Sequence, residues 1–178
     1  MSDIKPHIEA GVYFHIPFCR KACHYCNFHF STSIQDKSGV VESIIKEIDI
    51  IRGKKITYIK TVYFGGGTPS MLLRIELRAL MEKLRSSFNL DPNAEITYEV
   101  NPDDMTEMTV PFWKKQGVNR LSIGIQSFRD EDLIWMNRTH NASQAEEGIR
   151  LAKEAGFENI SIDLIYGIPG LSDEAWKD

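Results

Sequence analysis

All three cysteines of the chain fall within the eight residues Cys19-Arg20-Lys21-Ala22-Cys23-His24-Tyr25-Cys26, spaced C-x3-C-x2-C. Three thiolates on one short loop can hold three irons of a cubane iron–sulfur cluster. The fourth iron is then left without a protein ligand and open to a small molecule. Structural zinc is the rival reading. It needs four ligands in a closed tetrahedron, and His15, His24 or His29 could supply the fourth. Such zinc sites usually come as two ligand pairs separated by a loop, and the sequence holds no second pair. A disulfide leaves one cysteine over, and the polar start Met1-Ser2-Asp3 shows no apolar signal segment, so a reducing cytoplasm is expected. Arg20, Lys21 and His24 make the loop basic, which is expected to favour the thiolate form. Spacing alone prefers the open cluster and leaves zinc alive.

The composition is that of a globular protein, 42% hydrophobic and 26% charged, with no run near the ~20 apolar residues of a membrane span. A net charge of −4, with lysines and arginines scattered rather than striped, argues against nucleic acid as a partner. The 178 residues suffice for an ordinary core, and no Gly/Ser linker or low-complexity stretch divides them.

The elements that must position the cysteines alternate between strand and helix. Strands are predicted at Val12–Ile16, Lys60–Phe64, Ile96–Val100, Arg120–Ile125 and Ile160–Ile165. Helices are predicted over 40–51, from Pro69 through Leu84, over 106–115, from a Ser143/Glu146 capping box to Gly156, and from Ser172 onward. This order implies parallel pairing with right-handed crossovers, in either an open doubly wound sheet or a (β/α) barrel. Strand parity favours the barrel. Val12, Phe14 and Ile16 oppose Tyr13 and His15, while Ile96, Tyr98 and Val100 oppose Thr97 and Glu99. Leu121, Ile123 and Ile125 oppose Ser122, Gly124 and Gln126, and Ile160, Ile162 and Leu164 oppose Ser161 and Asp163. A strand covered on both faces should be apolar on both, whereas a lumen that holds a polar ligand needs one polar face.

The polar residues also gather at the carboxyl ends of their strands, the rim where barrel active sites form. The cysteine loop follows the first strand, Gly65-Gly66-Gly67 the second, Glu99 and Asn101 end the third, Gln126 ends the fourth, and Asp163 lies late in the fifth. The glycines allow a ligand to approach the backbone closely, although three glycines can equally be a plain turn. Asp163, flanked by Ile162 and Leu164, is expected to be buried and to need a partner or ligand. Arg138 and His140, in a polar loop, are expected to be solvated when taken alone. Phe112, Trp113 and Trp135 are expected to pack in the core or between helices.

The segment Tyr13-Phe14-His15-Ile16-Pro17-Phe18-Cys19, with Cys23, Tyr25 and Cys26 after it, resembles radical S-adenosylmethionine (SAM) proteins of the coproporphyrinogen dehydrogenase type. Val62-Tyr63-Phe64-Gly65-Gly66-Gly67-Thr68-Pro69-Ser70 is similar to their glycine motif and Glu99-Val100-Asn101-Pro102 to their ribose-binding segment. Residues 117–128, Asn137-Arg138-Thr139-His140 and 163–170 continue the likeness in the family's order. The resemblance implies a partial (β/α)6 TIM-like barrel and a [4Fe–4S] cluster on Cys19, Cys23 and Cys26. It implies SAM chelated to the open iron and cleaved by one electron to a 5′-deoxyadenosyl radical. Gly66, Gly67 and Thr68 would line its methionyl part. Glu99 would accept from the ribose, and Arg138 would pair with the SAM carboxylate. Tyr13, Tyr25, Gln126 and Asp163 are the further SAM contacts the resemblance implies. With that many ordered motifs, zinc recedes.

Two functional classes share these motifs: the decarboxylating dehydrogenase of haem synthesis, and the haem chaperones of the HemW group. The dehydrogenases carry another cysteine two residues past the third, where this chain has Phe28, and a longer segment before the first strand. Tyr25-Cys26-Asn27-Phe28 and Asn137-Arg138-Thr139-His140 also look more like the chaperones, with Asn27 where aspartate is frequent. The expectation is therefore a haem chaperone without coproporphyrinogen decarboxylase activity, partnered by haem, recipient haem proteins and an electron donor. With five strands rather than six, residues 1–178 are expected to be the N-terminal part of a radical SAM core domain, truncated after the fifth strand. The last barrel unit and the C-terminal domain would be missing. Any haem site would then lie largely outside the chain. His7, His15, His24, His29 and His140 are its only histidines, and none is assigned as a ligand.

Overall fold

The computed structural model describes residues 9–52 and 58–177, so His7 and the first residues lie outside the described part. The elements run β1 (Glu9–Ile16), α1 (Lys37–Ile51), β2 (Tyr58–Gly66), α2 (Arg74–Ser87), β3 (Leu90–Val100), α3 (Thr109–Lys115), β4 (Arg120–Gln126), α4 (Asp130–Trp135), α5 (Ala142–Glu154), β5 (Asn159–Leu164) and α6 (Asp173–Lys177). Short 3-10 turns at Pro69–Met71 and Pro102–Asp104 follow β2 and β3.

All pairings are parallel and the strand order is β1-β2-β3-β4-β5. A doubly wound sheet reverses its order at a switch point, and this one does not. Right-handed crossovers in a constant direction bring every connection to the same face, which is the arrangement of a barrel wall. The apolar parity faces the helices, as predicted. Phe14, Ile16, Val62, Phe64, Ile96, Tyr98, Val100, Leu121, Ile123 and Ile125 are all buried. Leu77, Leu80, Met81 and Leu84 of α2 and Ala145, Leu151 and Ala152 of α5 join these strand side chains in one core. Aromatic contacts cross this layer. Phe14 stacks on Phe64 at 4.5 Å, Phe64 meets Tyr98 edge-on at 5.5 Å, and Tyr98 leans on Trp113 at 5.4 Å. The Tyr98 hydroxyl, buried with its ring, donates to the Pro69 carbonyl at 2.6 Å and so ties β3 to the turn after β2. Among the described residues no helix is long and apolar enough to cross a membrane.

Several local expectations change. Pro69 opens a separate 3-10 turn rather than the long helix. α2 begins at Arg74, where Glu76 reaches back to accept from the Leu73 N–H at 2.7 Å. The cap of α5 is Asn141 with Gln144, not Ser143 with Glu146: Gln144 N–H donates to Asn141 Oδ1 at 2.8 Å and Asn141 N–H to Gln144 Oε1 at 3.0 Å. Asn141 stands at the point where the chain enters helical conformation, and Ser143 already lies inside the first turn. β3 starts at Leu90, earlier than its alternation suggests, because Ile59 of β2 pairs with it. α4, at six residues, is too short to show a period and was not predicted. β5 lies at the sheet edge. Its apolar side chains Ile162 and Leu164 remain 40% and 43% exposed, so the cover expected for this strand is incomplete among the described residues.

Candidate functional site

The cysteine loop leaves the carboxyl end of β1 and is held there by backbone bonds. Gly67 N–H donates to Ile16 O at 2.9 Å, Ser31 N–H to Pro17 O at 2.7 Å and Cys19 N–H to Ser31 O at 3.0 Å. Phe18 is buried and anchors the loop to the core. The three cysteines are free and half-buried, and all three line one cavity of about 650 Å³. The basic neighbours are not what meets their sulfurs. Arg20 turns away to Asp103 and Asp104. His24 is held by the Trp135 carbonyl, 2.7 Å from Nδ1. Burial pushes the Cys19 thiol up, as do Cys26 and Cys23, and it is drawn down by a hydrogen bond from Thr68 Oγ1 at 3.4 Å and by Arg138. Arg138 Nη1 also lies 3.5 Å from Cys23 Sγ. The cationic support for the loop therefore comes from far along the chain rather than from Arg20, Lys21 and His24.

Among the described residues no three His, Cys, Asp or Glu side chains converge tightly enough to hold a single metal ion. Nδ1 of His15 shares a hydrogen bond of 3.1 Å with the Tyr13 hydroxyl, and Nδ1 of His24 is bound to Trp135 O. Thiols on separate corners of a cluster stand farther apart than thiols on one ion. Gly67 provides the cradle. A Cβ there would stand 2.8 Å from Phe18 O, 2.9 Å from Phe18 N and 3.0 Å from Cys19 Sγ. Gly66, at φ +117°, holds a left-handed turn that a side chain would strain.

The other expected contacts are brought to the same cavity. Tyr25, Gly66, Gly67, Thr68, Glu99, Gln126, Arg138 and Asp163 line it with the cysteines. Glu99 accepts from the Tyr63 hydroxyl at 2.7 Å. Burial pushes its carboxyl up, opposed by the Tyr63 hydroxyl and the Gly66 N–H, while Asp163 adds to the rise. Burial likewise raises Tyr25, chiefly against the pull of Arg138. Arg138 fans out across the rim. Nη2 donates to Gly124 O at 2.7 Å and Asn101 Oδ1 at 2.9 Å, Nη1 donates to the Tyr25 hydroxyl at 3.1 Å, and Nε is buried without a partner. Gln126 takes a left-handed φ of 72°, and its carbonyl accepts from Ile165 N–H at 2.9 Å.

Two expected contacts differ in placement. Tyr13 has the lumen parity but does not line the cavity. It is 57% exposed and stacks on Tyr63 at 6.0 Å. β1 is an edge strand, and Tyr63, one strand inward, occupies the place beside Glu99. Asp163 lines the cavity but is exposed rather than buried, because β5 is the other edge. Trp135 is half-exposed instead of packed, and what it contributes is its carbonyl. Tyr63 and Asn101 are the contacting residues that the strand pattern did not single out as ligands. Tyr63 shares the parity of Thr61 and stands two residues before the glycines, a signal that could have found it.

His140 is not solvated, and Arg138 is only partly so. His140 is 4% exposed, its Nε2–H donates to Ile125 O at 3.0 Å, and Nδ1 is buried without a partner. Burial, then Arg138, lowers its pKa to about 4, against the Ile125 carbonyl and Asp103. The unfolded chain therefore binds this proton more readily than the folded one. The neutral ring's contribution is full above the unfolded pKa of 6.5 and is lost as pH falls toward about 4, a linkage of about 3 kcal/mol. Urea unfolding at pH 7 and pH 4.5 should show a steeper acid loss in the wild type than in His140→Gln. Equal losses would refute the linkage.

A family model described as the radical SAM superfamily matches residues 13–178. The chain belongs to the radical SAM superfamily. Radical SAM membership carries with it a [4Fe–4S] cluster and SAM as cofactors. Over 168 residues the chain is 38% identical to the haem chaperone HemW of Lactococcus lactis, covering 94% of this chain and 44% of that protein. Over 163 residues it is 37% identical to HemW of Bacillus subtilis, covering 90% and 43%. Among solved structures, the radical SAM enzyme coproporphyrinogen III oxidase (HemN) of Escherichia coli superposes with a TM-score of 0.86 at 30% identity, over 96% of this chain and 40% of that one. The chain spans less than half the length of these relatives.

Proposed function

We propose that the chain is the cluster-bearing barrel of a haem chaperone of the HemW group. The observation that carries this reading is Phe28. It stands where the dehydrogenases keep a further thiol, and it is 78% exposed on the wall of the cavity that holds the three cysteines. The relatives named as haem chaperones support the same reading. Cys19, Cys23 and Cys26 would hold the [4Fe–4S] cluster. Gly66, Gly67 and Thr68 would take the methionyl part of SAM, and Arg138 its carboxylate. Glu99 would take the ribose, with one oxygen fixed by the Tyr63 hydroxyl. Tyr25, Gln126 and Asp163 would complete the contacts, and Tyr13 would act through the Tyr63 ring. When bound, the cluster and SAM supply one-electron cleavage of a sulfur–carbon bond. The chain's part is to bind, orient and shield them. Partners of the full-length protein would be haem, recipient haem proteins and an electron donor, in a reducing compartment such as the cytoplasm that suits three free thiols.

The likeness to HemN favours the second reading, an oxidative decarboxylase of coproporphyrinogen III. One experiment separates them. Full-length protein, reconstituted anaerobically, is given haem with an apo-haem protein in one arm, and coproporphyrinogen III with SAM and a reductant in the other. The expected result is haem binding and transfer with no release of CO2. Decarboxylation over many turnovers would overturn the chaperone reading.

A further inference from the structure

Four successive residues after α4 each contact a different part of the site. Asn137, at the C-terminus of α4 with a left-handed φ of 59°, donates from Nδ2 to Ala22 O at 2.9 Å, inside the cysteine loop. Arg138 reaches Cys23 and the rim as described. Thr139 Oγ1 donates to Asp103 Oδ1 at 2.9 Å, and Asp103 is a partner of Arg20, again in the cysteine loop. His140 Nε2–H donates to Ile125 O from a buried position. The loop answers in kind, because His24 N–H donates to Met136 O at 3.1 Å, capping a carbonyl that the end of α4 leaves free.

The anchor points on β4 are available for a reason. β4 pairs with β3 only as far as Ile123, and its register with β5 slips between Gly124 and Gln126, where Gln126 turns left-handed. The carbonyls of Gly124 and Ile125 are taken instead by Arg138 and His140. The imidazole carries its proton on Nε2, since a carbonyl can only accept, and it remains neutral near pH 7.

We propose that Asn137, Thr139 and His140 form a strap that fixes the cysteine loop to the barrel mouth, so that Cys23 and Arg138 are positioned as one unit. These are positioning residues. They act on the cluster and SAM only through the loop and through Arg138, and the proposal rests on the assignment of the cluster to this loop. The strap orders the loop before any cofactor arrives, because its bonds run to backbone carbonyls and to Asp103 rather than to a ligand.

Full-length protein, reconstituted anaerobically, tests this with variants that remove one bond each. Asn137→Gly keeps the left-handed backbone and deletes the bond to Ala22, and Thr139→Val keeps the shape and deletes the bond to Asp103. His140→Leu removes the donor, and His140→Gln can replace it. The strap predicts that Asn137→Gly speeds amide exchange across 19–26 and at His24 in the apo protein. In the loaded protein it predicts SAM binding weaker by roughly tenfold, the loss of about one hydrogen bond. The change that SAM causes in the electron paramagnetic resonance spectrum of the reduced cluster should be altered too, and His140→Gln should restore what His140→Leu loses. Asn137→Gly and Thr139→Val that match the wild type in exchange, SAM affinity and spectrum would overturn the strap, as would a His140→Gln no better than His140→Leu. Should His140→Leu fail to fold, the first two variants still decide. A wild type that takes up no cluster overturns the underlying assignment and the strap with it, whereas a loaded wild type with indistinguishable variants overturns the strap alone.

Discussion

Cys23→Ala is expected to bring iron and sulfide uptake during anaerobic reconstitution to background and to remove the visible absorption of the cluster. All three thiols come from one loop, and the sequence holds no fourth cysteine to take over. Cys23 also meets Arg138, so its loss leaves that guanidinium facing an empty place on the cavity wall. The fold itself should survive. Cys23 is half-buried, makes no disulfide, and lies in a loop outside the main core, so the helical signal and unfolding midpoint of the apo protein should stay near the wild type. That contrast separates a ligand from a packing residue. A colourless wild type that binds one zinc ion, and a Cys23→Ala that merely weakens it, would end the cluster assignment.

Gly67→Ala is the second variant with a large expected effect. The added methyl would meet backbone, not a side chain that can swing aside: Phe18 O at 2.8 Å and Phe18 N at 2.9 Å, with Cys19 Sγ at 3.0 Å. Relief requires the cysteine loop to move off the end of β2, breaking the Gly67 N–H to Ile16 O bond and carrying Cys19 with it. Overpacking of this kind costs about 1–3 kcal/mol. More telling is the shift of Cys19, a cluster ligand in the proposed reading, away from its hydrogen bond with Thr68. Cluster loading and SAM affinity should both fall at least about tenfold, roughly the equivalent of 1.4 kcal/mol each. Gly65→Ala is the control. Its methyl would meet side chains rather than backbone, the Tyr63 ring at 2.9 Å and the Tyr13 ring and hydroxyl at 3.0 and 3.1 Å, so it disturbs the Tyr63–Glu99 hydrogen bond but leaves the cysteine loop in place, and cluster loading is the readout on which the two variants should differ. Equal effects from the two substitutions would show that the tight approach at Gly67 has no special part in seating the loop.

The two variants sit on features of different legibility. Cysteine spacing is a property of eight consecutive residues and can be read without a fold. So can the alternation along β1, β3 and β4, because side chains in a strand repeat every second residue whatever the strand pairs with. From that period and the strand–helix order came the barrel, the rim and most of the residues that line the cavity. Gly67 was visible as a glycine, but the approach of Phe18 that makes it indispensable joins the ends of two strands.

Other features were not local. Tyr13 and Tyr63 share lumen parity, and only the neighbour order of the strands decides which ring stands beside Glu99. Asp163 looked buried from its flanking Ile162 and Leu164, yet edge position governs its exposure. Arg138 and His140 looked solvated in a polar stretch, yet the end of β3 pairing at Ile123 and the slipped register of β5 leave carbonyls on β4 that Arg138 takes at the rim and His140 from a buried position. The sequence by itself determined the spacing of the three cysteines, the periodicity of the wall and the rim on which polar groups collect, since each is set within a few residues along the chain. Tertiary structure alone decided what holds that loop in place: Asn137 to Ala22 and Arg138 to Cys23 each span 115 residues. Contacts at such separation form because folding brings two distant segments to one barrel mouth, and no local pattern of residue types carries that information.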